Sequence, residues 1–334
     1  MKCNRRAFLQ AVGGSAAVTL MPSAFAANLS AYPDRTIKFL VPFSAGSSTD
    51  IAARTWSEQL SKELSGASVV VENRAGAGGT VGAGVIARAA PDGYNLLYSA
   101  ATSYCISPFV YPNLSYNPEH DLQPIAVTTS VPVFLVVAGD SDIKGFDDLV
   151  SRLSENPDMY SYGSNGVGTS GHIACKLFAS LIGQPDLLHI PYKNGSQGVM
   201  ADVIGGRITY AVDPWSVVGP FIESGRLRAI GVTSSERLAV VPQIPTLTEQ
   251  LKKDCVVVTW NGLWAPKSTS PDIVRNLHGA MDRGRSADGL ADRFESQGTP
   301  LMPRMTLAQT EQFMADEMKR WKALVDLTGI KISG

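Results

Sequence analysis

The sequence predicts an α/β protein built on mainly parallel sheets, and three observations predict it. Short apolar runs alternate with longer segments of helical spacing. Gly, Ser, Pro and Asp cluster at the changeovers. No strict repeat or low-complexity linker breaks the rhythm. At about 150 residues per domain, 334 residues make roughly two domains.

The elements follow in order. Ile37 to Val41 reads as a buried strand and Ile51 to Leu64 as a helix carrying Trp56, Leu60 and Leu64. Ser68 to Val71 is a second strand. Val81 to Ala90 is a helix stopped by Pro91-Asp92-Gly93, and Tyr94 to Tyr98 is a third strand. This βαβαβ opening argues for a parallel sheet with helices on both faces. Val131 to Val137 is strand-like, and Phe146 to Leu153 a helix. Tyr160 to Tyr162, Leu187 to Ile190, Ile208 to Val212 and Leu227 to Val232 read as strands. Thr169 to Ile182, Val199 to Ile204 and Trp215 to Glu223 are the helices between them. The C-terminal part is helical: Ser270-Pro271-Asp272 opens one helix, and Thr306-x-x-Gln309 is a capping box before an amphipathic one. With no linker between the α/β units, Val131 to Val137 and Val256 to Leu263 are expected to be two crossing strands around an inserted second domain.

Composition excludes several classes. Hydrophobic residues make up 44% and charged residues 18%, which supports a core and argues against disorder. The 31 glycines and 20 prolines are dispersed, which excludes collagen. A net charge of −1 carries no basic footprint for nucleic acid. Residues 1–26 read as a cleavable export signal. Lys2, Arg5 and Arg6 form a basic region, Ala11 to Met21 is weakly apolar, and Ala24-Phe25-Ala26 offers the cleavage site. Arg5-Arg6 before Phe8-Leu9 fits a twin-arginine signal, with ordinary Sec export as the alternative. Cys105, Cys175 and Cys255 then remain, allowing at most one disulfide. The four histidines show no metal-ligand spacing, and no Gly-x-Ser-x-Gly elbow is present.

Two loops carry chemistry. Pro42 to Asp50, between the first strand and first helix, is built of small residues that let backbone N–H groups approach an anion at a helix start. Ser161 to His172 repeats the plan. Its Gly166-x-Gly168-x-x-Gly171, with Asp186 downstream, also matches a dinucleotide fingerprint, so a twin-arginine-exported NAD(P)-dependent oxidoreductase is the alternative function. Arg74 could clamp a carboxylate, or pair with an acid.

These motifs occur in a telling order. Tyr32-Pro33 is followed by Val41-Pro42-Phe43, a small-residue loop ending Thr49-Asp50, Val71-Glu72-Asn73-Arg74 with Gly76-x-Gly78-Gly79, and Pro91-Asp92-Gly93-Tyr94. Then come Tyr162-Gly163-Ser164, Gly168-Thr169-Ser170-Gly171-His172, Pro191-Tyr192-Lys193, Gly205-Gly206, and Val232-Thr233-Ser234 with Arg237. The whole run resembles the Bug family, the periplasmic solute-binding receptors of tripartite tricarboxylate transporters.

The resemblance implies a two-domain periplasmic binding protein, a type II-like Venus flytrap. Domain 1 is expected at 27–130 plus 252–334 and domain 2 at 131–251. It implies a receptor, not an enzyme, that needs no cofactor or metal. The receptor would be a periplasmic monomer that takes a small organic carboxylate in its cleft and passes it to a two-component membrane permease. Signalling to a membrane sensor is a third reading. Carried over, the ligand-binding residues are Phe43, Ser44, Ala45, Gly46, Ser47, Ser48, Thr49 and Asp50 in the first loop, with Thr102 and Tyr104 as a further wall. The second loop gives Ser164, Asn165, Gly166, Val167, Gly168, Thr169, Ser170 and His172, with Asp213 and Trp215 opposite. Two departures stand out: Tyr104 and Trp215 replace smaller or polar residues of the family, and so imply an aromatic or planar carboxylate.

Overall fold

A computed structural model describes residues 32–332. The expected export signal lies outside the described residues. Two five-stranded sheets organise the chain. Sheet A is laid out from β1 (Ile37–Val41), β2 (Val69–Asn73), β3 (Asn95–Ala100), β4 (Leu122–Pro132) and β10 (Val258–Pro266), in the order β2-β1-β3-β10-β4. Sheet B holds β5 (Phe134–Ala138), β6 (Ser161–Ser164), β7 (Leu188–Pro191), β8 (Tyr210–Asp213) and β9 (Leu227–Val232), in the order β7-β6-β8-β5-β9. Both are mainly parallel with one reversed strand: β10 runs antiparallel to β3 and β4, and β5 antiparallel to β8 and β9. This is a two-domain α/β fold.

Helices connect the strands. α1 (Ser48–Glu63) and α2 (Thr80–Ala87) join the first three strands, and α3 (Ser107–Val110) and α4 (Pro118–Asp121) lead into β4. In the second half come α5 (Phe146–Glu155), α6 (Ser170–Leu181), α7 (Ser196–Ile204), α8 (Trp215–Glu223) and α9 (Leu247–Leu251). After β10 the chain returns to sheet A with α10 (Pro271–Gly284), α11 (Leu290–Ser296) and α12 (Leu307–Thr328). The expected Ser270 and Thr306 caps open α10 and α12, and Gln309 completes the capping box.

Strand alternation sorts the core into layers. Phe39 and Val41 pack with Trp56, Leu277 and Phe294 on one side of sheet A, while Leu40 and Leu97 face the other. Phe134 and Val136 likewise pack with Val199 and Val218, while Leu135 and Val137 join Leu40's cluster. That cluster also takes in Phe178 of α6 and Trp321 of α12, so one apolar layer runs between the sheets. Glu317 sits at its edge, accepting from the indole N–H groups of Trp260 at 2.6 Å and Trp321 at 3.0 Å.

The segment read as one strand, Val131 to Val137, is two. It breaks at Val133, where the chain leaves sheet A for sheet B. The return crossing reaches β10 through Val257. Thr233 ties the passes together. Its N–H donates to Val133 O at 2.9 Å and its hydroxyl to Val257 O at 2.7 Å, while Val257 N donates to Thr233 O at 3.1 Å. Thr233 Oγ1 also accepts from Val133 N at 3.1 Å. β4 begins at Leu122, well before the expected strand. Cys105, Cys175 and Cys255 are free and buried. Among the described residues no helix is long and apolar enough to cross a membrane.

Candidate functional site

A cavity of about 650 Å³ lies between the sheets. Its walls are the chain segments at one edge of each sheet: the C-terminal ends of the parallel strands, and the N-terminal ends of the reversed strands β5 and β10. That placement follows from the topology, because ligand clefts in open α/β sheets form outside the carboxyl ends of the strands. It also explains Thr259 and Asn261, which sit near the start of β10 and line the cavity.

In the first loop, Ser47 caps α1 and accepts from Asp50 N at 3.3 Å. The Asp50 carboxylate turns back into the loop. It accepts from Gly46 N at 2.9 Å, Arg54 Nε at 3.1 Å and Asn73 Nδ2 at 2.9 Å. Burial pushes this carboxyl up, but the bonds from Arg54, Gly46 and Asn73 outweigh it and hold the group below its ordinary value. Thr49 donates to Asn261 Oδ1 at 3.2 Å, and Asn261 Nδ2 in turn donates to Thr129 Oγ1 at 3.1 Å, which fixes the start of α1 on sheet A.

In the second loop, Thr169 caps α6, accepting from His172 N at 3.3 Å and donating to Gly166 O at 2.9 Å. His172 Nδ1 accepts from Gly168 N at 3.2 Å, so that nitrogen carries no proton. The His172 ring stacks on His189 at 3.8 Å, and His189 Nε2 bonds Ser164 Oγ at 2.7 Å. Burial lowers His172 to about 3, with the His189 and Lys176 charges adding to it. Burial and Lys176 lower His189 to about 4. Both rings are therefore neutral at pH 7 and support the loop from behind.

The two loops meet other loops across the cavity. Tyr111 Oη donates to Val167 O at 2.9 Å. Gly78, at φ +62°, sits beneath the same contact: a Cβ there would lie 2.7 Å from Tyr111 Oη and 3.0 Å from Val167 O. Only glycine permits this approach. Gly195 faces Ser44, and Gly46 faces Gln197. These contacts bring the loops of the two sheets together beside the cavity.

The expected residues divide into three groups. Phe43, Ser44, Ser47, Ser48, Thr49, Thr102, Asn165, Gly166, Val167, Thr169, Ser170 and Asp213 line the cavity. Ala45, Gly46, Asp50, Ser164, Gly168 and His172 do not; they shape the loops behind those residues. Tyr104 and Trp215 are the corrections. Tyr104 lies two residues after Thr102 in a helical turn and therefore points away from it, stacking on Trp264 at 5.9 Å. Trp215 packs on Phe134 at 5.3 Å and against Gly298. Both are core, so the aromatic preference drawn from them loses its basis. Arg74 is exposed and outside the lining. Asp186 lies in an exposed turn at the start of β7, at the opposite end of that strand from the cavity, where no ribose hydroxyl could meet it. The dinucleotide geometry therefore fails.

The residues missed include Gly76–Gly79, Tyr111, Val131, Val133, Lys193, Ser196, Thr259, Asn261 and Ile332. Most share a signal of position, at the cleft-side ends of strands or in the loops that leave them, whereas Tyr111, after α3, and Ile332, after α12, carry no such mark. A further pattern appears only in three dimensions. The N-caps of five helices all line the cavity: Ser47 of α1, Gly79 of α2, Thr169 of α6, Gly195 of α7 and Pro214 of α8. Each helix start presents unsatisfied N–H groups and partial positive charge, so the cavity favours an anion. Among the described residues, its only ionisable lining side chains of acidic or basic type are Lys193 and Asp213, apart from the tyrosines. Among the described residues, no group of three or more His, Cys, Asp or Glu could hold a metal ion.

Comparison with known proteins agrees with this geometry. Residues 52–330 match the family model described as the tripartite tricarboxylate transporter family receptor. The protein BugT of Bordetella pertussis is 34% identical over 303 residues, covering 90% of this chain and 91% of that protein. The solved periplasmic binding protein BugD is 31% identical with a TM-score of 0.82, covering 90% of this chain and 99% of BugD. MatC of Rhodopseudomonas palustris, solved with bound malate, is 29% identical with a TM-score of 0.81, covering 88% and 100%. The chain thus belongs to the tripartite tricarboxylate transporter receptors, the Bug family of periplasmic solute-binding proteins.

Proposed function

We propose that this chain captures a small organic carboxylate in the cavity between its sheets and delivers it to a membrane permease. The observation that carries the reading is the convergence of five helix N-caps on one space with a single lysine among its lining side chains. Such a site holds an anion by backbone N–H groups and hydroxyls, without a clamp of opposite charge, and can release it again. The bound malate of MatC supports the ligand class. Phe43, Tyr111, Val133 and Ile332 give the cavity apolar walls as well, so acids with an aromatic or longer aliphatic body fit the reading.

In this account the chain works as a periplasmic monomer. The chain up to Pro132 together with Val258 onward, on sheet A, forms one jaw, and Phe134 to Val256, on sheet B, the other. This moves the expected boundaries at 131 and 252 to the crossings, and the crossing segments at Val133, Thr233 and Val257 form the hinge. The ligand-binding set is the cavity-lining group named above, extended by Gly78, Ser196, Thr259 and Asn261.

The test is a thermal-shift panel on the chain lacking residues 1–26. It would include malate, succinate, citrate, adipate, benzoate and phthalate, with NAD and NADP as the contrasting class. A ligand at about 1,000 times its dissociation constant adds about 4 kcal/mol of stability. A carboxylate hit supports the receptor reading. A nucleotide hit with silent carboxylates overturns it.

A further inference from the structure

Asp213 is the one acid among the cavity-lining residues. It is 2% exposed and ends β8. Its carboxylate accepts from Asn165 Nδ2 at 3.4 Å, and Asn165 Nδ2 also reaches Ser196 Oγ at 3.0 Å. Among the described residues no cation pairs with it, and Asn165 Oδ1 is buried without a partner. A buried carboxylate without a counter-charge costs free energy in its ionised form. An anionic ligand entering the same 650 Å³ makes that form worse, since the two negative charges then share a water-poor space.

We propose that ligand capture is coupled to proton uptake: a carboxylate binds together with one proton, which Asp213 takes from solvent and then offers as a hydrogen-bond donor within the cavity. The inference rests on the carboxylate reading above. Burial already pushes the Asp213 carboxyl up to about 7, with Ser196 and Asn165 opposing the rise, so the proton is within reach near neutrality. The surrounding groups do not compete. On α6 and β7, His172 and His189 are held neutral, and burial pushes the Cys175 thiol up. Tyr162 on β6 and Tyr210 on β8 are likewise pushed up by burial. β5 places Phe134 opposite. Lys193, from the segment before α7, lines the cavity but is exposed. Across the cavity, Asp50 is turned into its own loop.

Proton uptake is read directly by calorimetry. Malate and adipate are titrated into the chain in buffers of different ionisation enthalpy, from about pH 5.5 to about pH 8.5. The expected result, after the ligands' own titration is subtracted, is close to one proton taken up per ligand near pH 8, falling to none near pH 5.5. Affinity falls by up to about tenfold per pH unit above 7. Asp213→Asn, a permanent donor of the same shape, gives no uptake, has flat affinity, and binds more tightly than the parent chain at high pH. Binding with no proton exchange overturns the inference and leaves the receptor reading standing. So does proton release beyond the ligand's own. Absence of binding by every carboxylate at every pH overturns both. A measurement without ligand is independent of these: the Asp213 carboxyl carbon, followed by NMR, should titrate near 7. Titration near its ordinary 3.8 sinks the proposal.

Discussion

Across the cavity, the loop before α1 and the loop before α6 share a plan: strand, glycine-containing turn, hydroxyl N-cap, helix. What holds each loop differs. Asp50 fixes the first as an ion, drawing in Gly46, Arg54 and Asn73. Two stacked neutral imidazoles fix the second, with His172 taking the Gly168 N–H and His189 holding Ser164. One jaw therefore depends on a carboxylate staying charged, the other on histidines staying uncharged. Similar loop geometry does not imply similar electrostatics.

That difference can be broken from either side. The largest effect should come from Asp50→Ala, which leaves the Gly46 N–H and the Asn73 amide without their acceptor. Urea unfolding should show a loss of about 2–4 kcal/mol. Thr233→Val, at the crossing between the jaws, removes a buried donor and acceptor from Val133 and Val257 and should cost about 1–3 kcal/mol. Small-angle scattering with and without malate should then show an altered balance of open and closed forms; an unchanged balance would remove Thr233 from the hinge.

The pH dependence is a sharper comparison. Below about 6.5, unfolded His172 and His189 each bind a proton that the folded chain refuses, so their contribution is complete above 6.5 and is lost as pH falls. Asp213 acts with opposite sign: raised in the folded chain, it favours folding below its unfolded value and loses that contribution as pH rises through about 7. Between about pH 6 and about pH 4.5 the unfolded state thus binds one net proton more. These three groups should make stability fall by about 1.4 kcal/mol per pH unit toward acid. His189→Gln should bring that slope near zero, because His172 and Asp213 then cancel; an unchanged slope contradicts the neutral pair. The smallest effects are the caps. Ser47→Ala and Thr169→Ala should cost about 1 kcal/mol each, and should add in the double variant because they stand in different jaws.

The fold was largely legible from local pattern. Ile37–Val41, Leu227–Val232 and Trp215–Glu223 lie where apolar runs and helical spacing put them. The break at Val133 was not legible. Val131 to Val137 is uniformly apolar on both sides of the crossing, so periodicity carries no mark where the chain changes sheets. Two of the five helix starts were read from sequence as anion-binding, since a hydroxyl cap after a glycine turn is a local signal; α8 was placed from its first residue, but not its part in the cavity. The caps Gly79, Gly195 and Pro214 carry no side-chain bond and stand out only once the sheets align them. Tyr104 and Trp215 misled for a related reason. A position in a motif fixes neighbourhood along the chain, whereas the turn at Thr102 decides which side chain faces the cavity.

The central claim is that the helix starts of both jaws hold one anion between them. A crystal structure of the chain with malate tests it most directly. Carboxylate oxygens should lie within hydrogen-bond reach of backbone N–H groups at the start of α1 on one side and of α6 on the other, with the Tyr111–Val167 contact kept. Ligand seated only beside Lys193 at the rim, with both helix starts unoccupied, would contradict it.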